Sequence, residues 1–409
     1  GREYPEGQRS VLNRADTRRS PGSAIKPLAV YAPAVEMFDY TPVSFIDDSP
    51  VTFSDYNNYS PRNADGRFRG PVTMRTALAK SINVPAVKIL HEIGIENGLS
   101  FAEKLGIPLT ENDMHSLAVA LGGMEQGVTP LELARAYAAL GDRGSYKDYT
   151  TIRRIEDSKG KILYEHQPVK KQVISEEAAF IVNNMLQSAA KSGGTAHRLE
   201  GLKVAAKTGT VQLPDTEEFA NIKGANDIWL ASYNPEYTVV VWMGFDKRSA
   251  EDYLPTDAYG STYPAIIARQ VFEYLYDGRE LPDFVKPAGV VEVKLDGKAL
   301  QEQKQVLLAS ALTPAKYIVT EYFIRGTEPT KESEYWVVPE APYNFNVYLN
   351  EDNKPVISFV PKDTFAAYII MKSLEGQEAS AAKQVQPAAL IRWNGWIQML
   401  LQEKDTSIM

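Results

Sequence analysis

Two residues near the start of the chain, Ser23 and Lys26, have the types and the spacing needed for nucleophilic catalysis. In a helical turn, residues three apart lie on one face, so the hydroxyl and the amine would be neighbours. Pro21 and Gly22 precede the serine and predict a sharp entry into a helix, where backbone N–H groups favour developing negative charge. If burial lowers the pKa of Lys26, its amine can accept the serine proton. Together with the two groups described next, the pair predicts a serine enzyme that needs no histidine.

A second group lies on a strand predicted over Leu202–Leu213, which carries a cation, two hydroxyls and a glycine in the order Lys207-Thr208-Gly209-Thr210. Such an edge suits the carboxylate of a peptide, and a glycine within a strand allows another backbone to approach closely. The rival basic triplet Lys191-Ser192-Gly193 follows a predicted helix and leads into a further glycine, which indicates a helix end. We therefore expect the strand at 207–210 to form part of a binding site.

A third group, Ser81-Ile82-Asn83, lies between two predicted helices. Alone it is an ordinary turn, and a Ser-x-x-Lys pair alone is also weak evidence. The chain contains four such pairs, of which the other three are Ser158/Lys161, Ser188/Lys191 and Ser380/Lys383. The order and spacing of all three groups together, rather than any one group, indicate a shared site.

The composition limits the classes of function. With 409 residues, of which 44% are hydrophobic and 23% charged, the chain is long enough for two or three domains with buried cores. A net charge of −8 and the lack of a basic block argue against a nucleic-acid partner. The absence of cysteine excludes disulfides and zinc–thiolate sites, and we expect neither a metal ion nor a cofactor. No apolar run reaches the roughly 20 residues that a membrane helix needs.

Hydrophobic periodicity and capping residues predict an α/β fold. A helix is expected from about Gly22, and Thr129 and Ser175 cap two more, which run to about Leu140 and Ala190. Other helices are predicted at 74–80, 85–93 and 264–276, a hairpin at 150–165, and three strands at 202–213, 227–233 and 237–246.

The three groups resemble the transpeptidase domain of class A (bifunctional) penicillin-binding proteins of Gram-positive type, over about residues 1–280. The resemblance extends to the flanking segments Phe68-Arg69-Gly70-Pro71-Val72-Thr73, Leu121-Gly122-Gly123, Gly127–Ala134 and Val241–Asp246. It implies the penicillin-binding/β-lactamase-like fold, which is an antiparallel sheet flanked by helices together with an all-helical subdomain. It also implies an N-terminally truncated chain, because members of this family carry sheet strands, a glycosyltransferase domain and a membrane anchor before the serine.

The resemblance implies a role for each residue of the site. Ser23 would be acylated by the penultimate D-Ala of a stem peptide, and Lys26 would be its general base. Ser81 would pass a proton to the leaving D-Ala amine under the positive potential of Lys207. The substrate amide would bind Asn83, and its terminal carboxylate would bind the Thr208-Gly209-Thr210 strand through the two threonine hydroxyls. The backbone N–H groups of Ser23 and Thr210 would form the oxyanion hole.

The resemblance also implies a setting and partners. Residues 281–338 would be a linker and a β-rich extension, and residues 339–409 show a fold-level likeness to a fibronectin-type or immunoglobulin-like module. The full-length protein would be anchored at the extracytoplasmic face of the bacterial cell membrane. Its partners would be peptidoglycan stem peptides on lipid II-derived glycan strands, β-lactam antibiotics and other proteins of cell-wall synthesis.

Three other functions remain open at this level. A serine β-lactamase shares the three groups but needs a carboxylate that activates water, and Glu111-Asn112-Asp113-Met114 offers acids without a convincing Glu-x-x-Leu-Asn pattern. A D,D-carboxypeptidase differs only in using water as the acceptor. A non-catalytic scaffold would bind β-lactam or peptidoglycan without turnover. The four histidines lack motifs that would support a Ser-His-Asp triad.

Overall fold

A computed structural model describes residues 12–148 and 150–336, together with the backbone of four short strands between residues 343 and 400. The chain divides into two compact units, one formed by residues 1–291 with 322–328 and the other by residues 292–321 with 329–409. Among the described residues, no helix is both long and apolar enough to span a bilayer.

The described α-helices are α1 Ala32–Met37, α2 Met74–Ala79, α3 Asn83–Ile93, α4 Ile95–Lys104, α5 Pro130–Gly141, α6 Glu176–Ala189 and α7 Tyr263–Tyr276. The strands of the first 300 residues are β1 Phe45–Asp48, β2 Gly70–Thr73, β3 Ser145–Lys147, β4 Arg154–Glu156, β5 Ile162–Glu165, β6 Lys170–Gln172, β7 Ala205–Gln212, β8 Ala225–Tyr233, β9 Thr238–Gly244 and β10 Val290–Asp296. The remaining strands are β11 Ile318–Ile324, β12 Tyr343–Leu349, β13 Pro355–Pro361, β14 Ala389–Trp393 and β15 Trp396–Leu400.

The central sheet of the first unit is antiparallel, in the order β7-β8-β9, which confirms the three predicted strands. Alternate side chains of β8 face opposite cores: Trp229 and Ala231 join a large helical core, whereas Leu230 packs with Phe272 of α7. Because successive side chains of a strand point to opposite faces of the sheet, helices pack on both of its faces. The expected antiparallel sheet flanked by helices is therefore present, and among the described residues β7 forms one edge of it.

The segment that carries the predicted serine is helical, but its turns are not those of one α-helix. A 3₁₀ turn spans Gly22–Ile25, a π turn follows over Pro27–Tyr31, and α1 begins only at Ala32. Pro27 has no N–H to donate, so a regular ladder cannot run through this point. The predicted helical segment from about Gly22 is thus present, but it is not one regular α-helix.

Capping explains the ends of the two helices that the sequence marked best. Thr129 accepts a hydrogen bond from the N–H of Glu132 at 3.0 Å, and the Glu132 carboxylate accepts one from the N–H of Thr129 at 2.9 Å. Ser175 caps α6 through the N–H of Ala178 at 3.1 Å. Both predicted helix starts are confirmed.

Outside this sheet the strands pair locally. β1 pairs with β2, β3 with β6, and β4 with β5, all antiparallel, so the hairpin predicted over residues 150–165 is confirmed. Further along the chain β10 pairs with β11, β12 with β13, and β14 with β15. The module expected at 339–409 lies outside the described residues except for the backbone of its four strands.

Candidate active site

The turn before Ser23 is held against the central sheet by its backbone. The indole N–H of Trp229 donates to the carbonyl of Ser20 at 2.8 Å, and the Ser20 hydroxyl donates to the carbonyl of Gly122 at 2.6 Å. Gly22 has a φ of +53°, a conformation that glycine adopts without strain. Ser23 follows, half-buried, on the 3₁₀ turn.

Three glycines allow the serine turn to approach its neighbours. A Cβ at Gly22 would lie 2.7 Å from the carbonyl oxygen of Thr210, and a Cβ at Gly209 would collide with the carbonyl oxygen of Pro21. A Cβ at Gly122 would collide with the backbone of Gly22. The backbone approach expected at Gly209 therefore exists, and the approaching backbone is the serine turn of the same chain. This packing brings the backbones of the serine turn and β7 together, as the predicted oxyanion hole requires.

Lys26 is completely buried, and its ammonium group is surrounded by oxygens of the Ser81–Asn83 turn. Lys26 Nζ donates to the carbonyls of Ser81 at 2.8 Å and Ile82 at 3.1 Å, and to Asn83 Oδ1 at 2.7 Å. Burial, and secondly the charge of Lys207, lower the pKa of Lys26 well below its ordinary value. Its neutral amine is the form that can accept a proton.

Lys207 is also completely buried, and it contacts the hydroxyl of Ser81 as well. Lys207 Nζ donates to Ser81 Oγ at 2.7 Å and to the carbonyl of Thr208 at 2.8 Å, while Lys26 Nζ lies 3.4 Å from Ser81 Oγ. Burial lowers the pKa of Lys207 to about 7. Because two cations this close repel each other, protonation of one disfavours protonation of the other.

The three predicted groups are therefore brought together, with Ser81 Oγ joining the two lysines. Among the hydrogen bonds of the described residues, none joins Lys26 Nζ to Ser23 Oγ. Catalytic hydrogen bonds are often long before substrate binds, so this does not argue against the pair. The direct partner of Lys26 in the structure is the Ser81–Asn83 turn.

The predicted substrate-binding residues differ in their availability. The Asn83 amide already has partners on both sides, because its Nδ2 donates to the carbonyl of Arg62 at 2.9 Å. Thr208 is buried, with 8% of its surface exposed, whereas Thr210 is half-buried. Gly260 covers Thr208, since a Cβ there would lie 2.8 Å from Thr208 Cβ. Because both ends of the Asn83 amide have partners, a substrate amide that binds Asn83 must share or displace one of them.

The rival candidates lie elsewhere in environments that do not favour chemistry. Lys191 and Ser192 are exposed at the turn after α6, which confirms that their triplet is a helix end. Lys161 is exposed in the β4–β5 hairpin, and Ser380/Lys383 lies outside the described residues. In the described part of the chain, no group of three or more His, Asp or Glu side chains could hold a metal ion.

Two residues of the site region were missed by sequence reasoning, Asn63 and Asp48. Both are buried, and a chain of hydrogen bonds connects them to the start of α3. One signal pointed to such a partner: the residue at the N-cap of α3 is Ile82, which cannot cap a helix. That signal predicts a remote cap without identifying it.

Comparison with known proteins assigns this arrangement to a family. The sequence model of the family described as penicillin binding protein transpeptidase domain matches residues 2–273. The chain belongs to this family. The model of the C-terminal domain of penicillin-binding protein 1A matches residues 286–337.

Curated relatives support this membership of the transpeptidase family. The chain is 32% identical over 418 residues to penicillin-binding protein 1A/1B of Bacillus subtilis, with 96% of the chain and 44% of the relative covered. It is 35% identical to penicillin-binding protein 1F of the same organism, with 87% and 46% covered. The chain thus spans less than half the length of these two relatives.

Solved structures show the same fold. Penicillin-binding protein 1A from Haemophilus influenzae matches with a TM-score of 0.63 at 26% identity, covering 78% of this chain and 50% of that one. PonA1 from Mycobacterium tuberculosis, solved in complex with penicillin V, matches with a TM-score of 0.57 at 24% identity, covering 68% and 74%. The expected penicillin-binding fold is confirmed.

Proposed function

We propose that this chain is a D,D-transpeptidase that cross-links peptidoglycan stem peptides through an acyl-enzyme on Ser23. One observation carries the proposal: two fully buried lysines both lie within hydrogen-bonding distance of Ser81 Oγ, beside a serine turn that is packed on β7. Buried amines with lowered pKa values can move protons near neutral pH, which a serine nucleophile without histidine requires.

Acylation would use the groups in the positions described. Lys26, as the neutral amine, takes the Ser23 proton while Ser23 Oγ attacks the carbonyl carbon of the penultimate D-Ala. The resulting oxyanion is held by the backbone N–H groups of Ser23 and Thr210. When the peptide bond breaks, the proton passes through Ser81 Oγ to the leaving D-Ala amine.

Substrate orientation and deacylation would use the β7 side of the site. Thr208 and Thr210 bind the terminal carboxylate, Gly209 lets the serine turn lie against this strand, and Lys207 supplies positive charge. An amine of a neighbouring stem peptide then attacks the carbonyl carbon of the Ser23 ester. The new amide bond forms as the ester C–O bond breaks, and the proton of the amine passes through the lysine–serine network to Ser23 Oγ. β-Lactams would acylate Ser23 in the same manner.

The alternatives are less well supported by the residues around the site. A β-lactamase needs a carboxylate free to activate water, but Asp113 is buried and accepts hydrogen bonds from the N–H groups of Thr110 and Glu125, both at 2.9 Å. Its carboxylate thus stabilises a loop and is not free to activate water. A carboxypeptidase uses the same acylation machinery and differs in the acceptor, so only product analysis separates it from a transpeptidase. A non-catalytic scaffold has no need for two buried lysines, which cost stability.

The setting of the whole protein belongs to the same proposal. We place it at the extracytoplasmic face of the bacterial membrane, where stem peptides, glycan strands and proteins of cell-wall synthesis are its partners. We also propose three parts: a transpeptidase domain at 1–280, a β-rich extension at 281–338 and an immunoglobulin-like module at 339–409.

A labelling experiment tests this function. The purified chain is incubated with a fluorescent penicillin, and the mass and lifetime of the adduct are followed. We expect one adduct on Ser23 that persists for hours and is absent in Ser23→Ala. Rapid release of hydrolysed penicillin would indicate a β-lactamase instead, and a folded chain without any adduct would refute the enzyme.

To separate transpeptidase from carboxypeptidase, the same chain is given a D-Ala-D-Ala stem peptide with and without an added amine acceptor. A transpeptidase forms the cross-linked product, and a carboxypeptidase forms only the shortened peptide.

A further inference from the structure

The N-terminus of α3, where Asn83 is the first helical residue, is not capped by its own sequence. The residue at the N-cap is Ile82, whose side chain has no oxygen that could accept from the first N–H groups. Asn63 supplies the missing acceptor, because its Oδ1 accepts from the backbone N–H groups of Asn83 at 3.0 Å and Val84 at 3.1 Å. A residue from a distant loop therefore caps the helix.

The orientation of the Asn63 amide is fixed by its other partners. Asn63 is 6% exposed, and its Nδ2 donates to Asp48 Oδ1 at 2.7 Å and to the carbonyl of Arg67 at 2.7 Å. Both partners can only accept, so the amide nitrogen must point towards them and the oxygen towards α3. The flipped amide would place two donors against the N–H groups of the helix.

Asp48 is itself held in place. It is fully buried on β1, accepts a hydrogen bond from the N–H of Arg69 at 3.1 Å, and lies 3.5 Å from the Arg69 guanidinium. The guanidinium offsets the cost of burying this carboxylate. A continuous chain of contacts thus runs from Arg69 through Asp48 and Asn63 to Asn83.

The Ser81–Asn83 turn needs such support, because Ser81 has a φ of +55°. This left-handed conformation is unfavourable for serine and persists only where surrounding contacts enforce it. Lys26 contacts the carbonyl side of the turn, and Asn63 contacts its N–H side. If the second contact is lost, the turn can relax and carry Ser81 Oγ and Asn83 Oδ1 away from the lysines.

We infer that Asn63, oriented by Asp48, is a positioning residue that sets the Ser81–Asn83 turn for proton transfer. The inference rests on the proposed function, because its effect is on acylation of Ser23. Neither residue touches the reacting atoms, so both act through α3.

The test compares Asn63→Ala with Ser175→Ala, which removes a cap from α6 and serves as a matched loss of helix stability. Acylation rates with fluorescent penicillin are measured across pH at a temperature where both variants are folded. We expect Asn63→Ala to be acylated about 10- to 100-fold more slowly, with a displaced pH profile, since small misplacements of catalytic groups have effects of this size. Ser175→Ala should keep the rate and the profile of the parent chain.

An exchanged pair gives the rescue. In Asp48→Asn/Asn63→Asp, the new carboxylate can accept from the α3 N–H groups and from the new amide, whereas the carbonyl of Arg67 loses its donor. The matched comparison is Asn63→Asp alone, which loses the same donor and also places two carboxylates against each other. Each single substitution should acylate slowly, and the double variant should be acylated faster than Asn63→Asp. Equal rates for Asn63→Ala and the parent, or no gain of the double variant over Asn63→Asp, would refute the inference.

A separate readout distinguishes this failure from failure of the proposed function. If the parent chain is not acylated at all, the function is wrong, but hydrogen exchange of the Asn83 and Val84 amides still tests the cap. Faster exchange at these amides in Asn63→Ala supports the positioning contact. Unchanged exchange overturns it.

Discussion

Replacing Lys207 by methionine should raise the pKa of Lys26 and move the acid limb of the acylation profile to higher pH. Both Nζ atoms contact Ser81 Oγ, at 3.4 Å and 2.7 Å, so they are no more than about 6 Å apart. Two unit charges at that separation repel by at least ~2.8 kcal/mol if the effective dielectric constant is ~20. This repulsion adds to the larger effect of burial, and both lower the pKa of Lys26.

The assay is the second-order rate of labelling by fluorescent penicillin between pH 5 and 9. The substitution also removes a hydrogen bond to Ser81 and a charge for the carboxylate, so the rate itself should fall. The position of the acid limb is the informative quantity, because it follows the pKa of Lys26. Lys203→Gln removes an exposed lysine that pairs with Glu280, and it should leave the limb unchanged. If the limb of Lys207→Met stays within about half a pH unit of the parent, the two lysines are not coupled as argued.

Three further predictions concern the stability and the packing of the site. Lys207→Met should also stabilise the fold near neutral pH: the pKa of Lys207 is about 7 when folded and 10.5 when unfolded, so the unfolded state binds the additional proton between these values. The free energy of unfolding of the parent should therefore rise from pH 7 to pH 10 in urea titrations. The variant should show a smaller slope, because only Lys26, whose pKa is also lowered, still contributes, and an identical slope would contradict the burial of a shifted Lys207. Gly22→Ala should reduce acylation by about 100-fold, because its Cβ would meet the Thr210 carbonyl. Gly193→Ala, at a glycine of similar φ with nothing near its Cβ, isolates backbone strain and should acylate normally, whereas equal loss in both would refute the packing argument. Gly260→Ala should displace Thr208, because its Cβ would collide with the Trp229 carbonyl and lie 2.8 Å from Thr208 Cβ. It should raise the KM for a peptide with a terminal carboxylate more than it lowers kcat, and an unchanged KM would contradict binding of that group by Thr208.

The sequence predicted those parts of the site whose chemistry depends on residue type and order. The lysines, the Ser81–Asn83 turn and the β7 strand could be found because each group has recognisable spacing and β8 and β9 have clear strand patterns. Thr129 and Ser175 could be placed because their caps are local, and each hydroxyl accepts from an N–H group only three residues further on. These are signals that a single stretch of chain contains.

What could not be predicted depends on contacts between distant segments. The cap of α3 comes from Asn63, twenty residues upstream, and nothing around Asn63 marks it as a cap. The glycine at 260 is explained by the Trp229 carbonyl and the Thr208 side chain, which a Cβ there would meet. The division of the serine helix into 3₁₀ and π turns is a different case, because the missing N–H of Pro27 is a local signal that indicates an irregular ladder without specifying which turns form.

The site combines features that each oppose folding, and their arrangement explains why they are found together. Lys26 and Lys207 are buried cations when protonated, and Ser81 adopts a left-handed conformation. Each feature is supported by a different element: Lys26 by the Ser81 turn, Lys207 by Ser81 and the β7 backbone, and Ser81 by both lysines and the capped helix. If one of these contacts is removed, the remaining unfavourable features are no longer fully compensated. The effects of substitutions in this cluster on stability should therefore be strongly non-additive. The Asp48–Asn63 pair supports this cluster through the start of α3. Its loss should therefore slow acylation under conditions in which the chain is still folded.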